Sequence, residues 1–81
     1  MTLEEAIAEI SGRVITACPD AVLRIVHASD EEASIRAYAH VGAEAAIKAA
    51  TNDYTIELLT GEGLDVQVLV YDIATSLPPE G

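Results

Sequence analysis

Two histidines, one cysteine, three tyrosines and four basic side chains carry the chemistry this chain can offer beyond its carboxylates. A metal would need His27 and His40 to converge with a third donor. On the hairpin derived below, His27 falls opposite Ile35, five residues from His40. That is ~17 Å at ~3.4 Å per residue, and the two rings leave opposite faces. One monomer cannot join them, so no metal site is expected. Cys18 closes the first predicted helix at its negative pole, which does not stabilise a thiolate. It reads as a small packed residue. Ser29-Asp30-Glu31-Glu32 gathers three carboxylates in one turn, fewer donors than a calcium loop needs. Gly61-Glu62-Gly63 is not followed by a P-loop lysine and reads as a cap or turn. General acid–base work needs positioned groups in a cleft, and 81 residues enclose little of one. An enzyme built at a dimer interface from Tyr38 and His40 is the weakest class. The expectation is no catalytic residue and no cofactor.

What remains is a surface, and its existence depends on the elements that carry it. The chain is long enough for one domain, whose core buries roughly 60% or a little more of the unfolded surface. Hydrophobic residues make up 51%, with no Phe or Trp, so the core is aliphatic and rich in alanine. Such a core is thin, and dimerisation is a common remedy. The net charge of −10 argues against nucleic acid, whose phosphates are bound by Lys and Arg, and against anionic membranes. No run approaches the ~20 apolar residues of a membrane span. The acidic start Met1-Thr2-Leu3-Glu4-Glu5 lacks the pattern of a signal peptide. With a single cysteine, no intrachain disulfide can form, and a cytoplasmic setting is expected.

Thr2-Leu3-Glu4-Glu5 has capping-box spacing. Leu3, Ile7, Ile10, Val14 and Ala17 follow at helical intervals, with Glu9 and Arg13 paired four apart. Pro19 ends this helix. Residues 21–28 and 33–41 read as a hairpin across Asp30-Glu31-Glu32. A helix capped by Ser29 and Glu32 is the competing pattern. If Leu23 and Ile25 share the buried face with Ile35, Ala37 and Ala39, then Ile25 lies opposite Ala37 and Leu23 opposite Ala39. Residues 42–60 read as a helix with Ala43, Ala46, Ile47, Ala50, Tyr54 and Leu58 on one stripe. A shorter helix followed by a strand over 54–59 is the alternative. Leu64 to Ile73 is the richest β-branched run. Leu64, Val66, Val68 and Val70 alternate there with Asp65, Gln67, Leu69 and Tyr71.

The fold class is therefore α+β, a small two-layer sandwich in the order α-β-β-α-β or α-β-β-α-β-β. Two helices cover one face of a mainly antiparallel or mixed sheet. One domain spans 1–74, with a flexible tail over 75–81. The element order is similar to that of cytoplasmic domains of cation-efflux transporters and of BolA-like domains. The similarity is of order alone, with no motif of either family matched by these residues, and implies no function.

The other sheet face should carry Arg24, Arg36, Tyr38, His40, Gln67, Leu69 and Tyr71, with Val22 and Val26. Arginine and tyrosine are the residues of interface hot spots. The sequence is that of a small acidic binding domain, self-associating as a homodimer or held to a protein partner through this face. A small anionic ligand held by the two arginines, in a small-molecule or metal-sensing regulatory domain, is the alternative. A solvated face whose arginines pair with local carboxylates is the plainest reading.

Overall fold

The reciprocal bonds of the capping box start the first helix. In a computed structural model describing residues 1–75, the Thr2 N–H donates to Glu5 Oε1 at 2.9 Å. The Glu5 N–H donates to Thr2 Oγ1 at 3.2 Å. Helix α1 (Leu3–Ala17) buries Leu3, Ala6, Ile7, Ile10 and Val14. It stops where Cys18 turns extended before Pro19, and the Cys18 N–H still reaches the Val14 carbonyl at 2.8 Å. Arg13 reaches back to Glu9 at 3.0 Å and lies 4.4 Å over the Tyr54 ring, tying α1 to the second helix.

Strands β1 (Val22–His27) and β2 (Glu32–Ala39) form the expected hairpin. The helix capped by Ser29 does not form. The Ala28 and Ser29 amides both donate to the Glu32 carbonyl, and the Ser29 hydroxyl accepts from the Glu31 amide. Ser29 is thereby drawn into the turn, and Glu32 joins the strand. The register therefore differs from the expected one by two residues: Leu23 lies opposite Ala37, Ile25 opposite Ile35 and His27 opposite Ala33. An even slip preserves the faces, so every cross-strand partner changes; Ile35, Ala37 and Ala39 are buried as expected, whereas Leu23 is only half-buried and Ile25, on the outer strand, is 37% exposed.

After Ala39 a short 3₁₀ turn (Val41–Ala43) leads into α2 (Glu44–Glu57), which widens into a π turn over Leu58–Glu62. Residues 53–60 are helical, and the alternative strand over 54–59 does not form. Gly63 caps the end with φ +69°, a conformation that favours glycine. The buried stripe of α2 runs through Ala43, Ile47, Thr51 and Leu58, with Tyr54 partly buried. Thr51 takes the core position, and Ala46 is exposed. The Thr51 hydroxyl donates to the Ile47 carbonyl at 2.9 Å, so its burial leaves no polar group unpaired.

Strand β3 (Asp65–Asp72) returns parallel to β2, giving a mixed sheet of order β1-β2-β3. The fold is α-β-β-α-β, with both helices on one face. Ile10, Val14, Ile35 and Ile47 are the largest fully buried side chains. A turn over Ile73–Thr75 follows β3. The tail expected over 75–81 otherwise lies outside the described residues. Among the described residues no helix is long and apolar enough to cross a membrane.

Four substitutions test this account. Thr2→Ala should cost about 1 kcal/mol, read as a loss of about 4–8 °C in Tm. The Glu5 carboxyl is held below its ordinary value of 4.5 by the Thr2 backbone and then the Thr2 hydroxyl. A depressed folded pKa contributes stability present above the unfolded pKa and lost as pH falls through the folded one. The Tm advantage of wild type over Glu5→Gln should therefore be largest above pH 4.5 and close below it. On α2, Ile47→Ala should cost ~2–5 kcal/mol by urea denaturation, while Ala46→Glu stays within about 0.5 kcal/mol.

Candidate interaction surface

Strand alternation sorts the hairpin into two faces. Leu23, Ile25 and His27 lie opposite Ala37, Ile35 and Ala33, whose side chains are buried under the helices. Val22, Arg24 and Val26, opposite Tyr38, Arg36 and Ser34, therefore occupy the face that no helix covers among the described residues. Strand β3 adds Asp65, Gln67, Leu69 and Tyr71 abreast of Glu32, Ser34, Arg36 and Tyr38. The result is four rows across the strands. Glu32 and Asp65 form the first, at the end where the hairpin turns. Val26, Ser34 and Gln67 form the second, Arg24, Arg36 and Leu69 the third, and Val22, Tyr38 and Tyr71 the fourth.

The structure thus gathers six of the seven expected residues. Tyr38 and Tyr71 stack with centroids 5.3 Å apart and planes at 23°, because the parallel register sets them side by side. Tyr38 is only 5% exposed, whereas Leu69 is 36% and Val26 43% exposed. Arg24 and Arg36 are directly opposite one another, whereas a register with Ile25 opposite Ala37 would have set Arg24 against Tyr38 and Arg36 against Val26. Like charges so placed are unfavourable. The Arg24 Nη1 donates to the Leu23 carbonyl at 3.2 Å. The Arg36 Nε is shielded from solvent and has no acceptor, a cost of about 1–3 kcal/mol for a buried donor. The seventh residue, His40, follows the last residue of β2 and is exposed at the start of the 3₁₀ turn, at the rim of the rows.

The slipped register places His27 opposite Ala33, seven residues from His40, or roughly 24 Å at ~3.4 Å per residue. His27 Nε2 instead lies 3.9 Å from Glu4 Oε1. Among the described residues no three His, Cys, Asp or Glu side chains gather as metal ligands. Cys18 is buried at the end of α1.

A cleft of about 700 Å³ that the sequence did not disclose lies beside the hairpin turn. Met1, Glu4, His27, Asp30, Glu31 and Glu62 are among its walls. These come from three separate segments, so no local pattern announces them. Its rim is acidic, and the Met1 ammonium is paired with Glu62 at 3.1 Å. A second groove, of about 250 Å³, runs between α2 and β3.

Comparison of the chain with protein-family models, with curated proteins and with solved structures gave no match.

Proposed function

We propose that this chain is a small acidic binding module that acts by contact rather than by catalysis, and that its helix-free sheet face joins a second copy. The observation that carries this reading is the composition of the third and fourth rows. A stacked tyrosine pair, a shielded Arg36 and an exposed Leu69 share one surface on which no layer is packed among the described residues. Interface centres are enriched in such residues and depleted of carboxylates. A two-fold axis running across the strands between the second and third rows would be complementary. It would set Glu32 and Asp65 over Tyr38 and Tyr71 of the second copy, and Arg36 over Ser34. A standard interface takes roughly 800 Å² from each partner, about one-sixth of the 4860 Å² accessible here. The net charge of −10 supports a protein partner over nucleic acid. The single, buried Cys18 supports a cytosolic setting.

The directly opposed Arg24 and Arg36 favour a second reading, in which the face of a regulatory domain holds a small anion. A bound ligand raises stability by RT ln(1 + [L]/Kd), about 2.7 kcal/mol at a hundredfold excess over Kd. Inorganic phosphate and citrate, titrated at matched ionic strength, should then raise Tm in wild type and not in Arg36→Gln. Equal shifts in both proteins, or none, exclude this reading.

The contact reading is tested by absolute mass from light scattering over a hundredfold range of concentration. Wild type should self-associate. Arg36→Glu combined with Leu69→Glu should lower the mass while leaving the circular dichroism spectrum unchanged. A wild type that stays monomeric throughout overturns the proposal.

A further inference from the structure

The sheet has two edges, and they differ in a way that selects one of them for pairing. On β1 the Ala28 amide bonds the Glu32 carbonyl, so residues 22, 24 and 26 turn their backbone groups toward β2. Leu23, Ile25 and His27 turn theirs outward. That edge is obstructed, because Arg24 folds its guanidinium onto the outward Leu23 carbonyl. On β3 the Asp65 and Ile73 amides bond the Glu31 and Ala39 carbonyls. Its odd-numbered residues therefore face β2, and Val66, Val68 and Val70 turn outward N–H and C=O groups that no backbone group among the described residues pairs, while the Asp72 carbonyl accepts from the Thr75 amide at 3.2 Å.

Natural sheets blunt such edges with Lys, Pro, bulges or covering segments. The run Val66-Gln67-Val68-Leu69-Val70-Tyr71 contains no charge, no Pro and no Gly. Beside it lies the groove of about 250 Å³, walled by Thr51, Thr55, Ile56, Leu59, Val66 and Val68 among others. Ile56 and Leu59, each 54% exposed, form its apolar rim on the helical side.

We infer that the β3 edge pairs antiparallel with the β3 edge of a second copy, extending the three-stranded sheet across a two-fold axis at Val68. In that register Val68 meets its own counterpart, and Val66 lies opposite Val70. Gln67 lies opposite Leu69, and Asp65 opposite Tyr71. No carboxylate opposes a carboxylate, although each chain carries a net charge of −10. The axis is perpendicular to the sheet, so both α2 helices lie on the same side. The outward valines of each copy then stand beside the other's groove, and Ile56 and Leu59 approach their counterparts. This contact is independent of the sheet-face contact proposed above. The two axes meet at the level of Val68, and together they generate a tetramer of D2 symmetry.

The test reads the outward amides directly. In a concentrated sample followed by NMR hydrogen exchange, the Val66 and Val70 amides should exchange at least about tenfold more slowly than open-edge amides. Val68→Pro deletes an outward N–H without touching the ladder to β2, and should abolish that protection. Ile56→Glu combined with Leu59→Glu alters only exposed residues and should abolish it too. Light scattering should show a halved mass for both variants. Arg36→Glu, on the central strand, should leave the edge protection intact whatever it does to the mass. Val66 and Val70 amides that exchange at open-edge rates in wild type overturn the inference, and so does protection that survives both edge variants. A mass unmoved by Arg36→Glu, with the edge still protected, overturns the face contact alone.

Discussion

Every layer of this protein is placed by the central strand, β2. It pairs with β1 on one side and β3 on the other, and its inward residues Ala33, Ile35, Ala37 and Ala39 are all buried. Three of those four are alanines, which bury little area but let the helices approach closely. The bulk of the core comes from the helices, through Ile10, Val14 and Ile47 packed around Ile35. This division of labour makes the sheet a platform. Its helix side is sealed by large residues from above, while its other side carries tyrosine, arginine and leucine with no layer packed on them among the described residues. A core without Phe or Trp leaves the domain a thin margin, and among the described residues the outer sheet face and the groove beside the strand edge expose Val26, Leu69, Ile56 and Leu59.

Much of this was legible in the residues. The capping box, the apolar set of α1 and the stop at Pro19 are local rules, and each operates within a few residues of itself. Alternation along β2 and β3 was equally local, which is why the two faces were assigned correctly. The register was not, because it is set by the turn, where the Ala28 and Ser29 amides both bond the Glu32 carbonyl. Ser29 bonds the Glu31 amide and so belongs to the turn, and side-chain capture of a turn amide competes with strand pairing in a way that hydrophobic pattern does not encode. On α2 the pattern overvalued alanine. Thr51 is buried with its hydroxyl bonded to the Ile47 carbonyl four residues back, while Ala46 is exposed.

The candidate surface was legible as a set of residues and not as a geometry. That Arg24 and Arg36 share a face follows from their parity. That they are directly opposed, and that Tyr38 stacks on Tyr71, follows from one slipped register and one parallel pairing. The sequence settles neither. The same holds for the β3 edge. Its uncharged run was plain from the start, but whether a strand is central or terminal is a property of the whole sheet.

Electrostatics then limits where two such chains can meet. Carboxylates occupy the outer surface of α1 at Glu4, Glu5 and Glu9, and that of α2 at Glu44, Asp53 and Glu57. They also occupy the hairpin turn at Asp30 and Glu31. Contact through any of these would bring like charges together, at a cost that grows as the site is desolvated. The second to fourth rows of the sheet face contain no carboxylate, and neither does β3 between its end residues Asp65 and Asp72. If the chain self-associates as proposed, acidity that makes much of its surface repel a second copy would favour the outer sheet face and the β3 edge, where the described residues carry no carboxylate between the end positions. Because Glu32 and Asp65 sit at one end of that face and the tyrosines at the other, only an antiparallel approach brings carboxylates over phenols rather than over carboxylates. In a face-to-face dimer the charge pattern would therefore favour an orientation as well as a location.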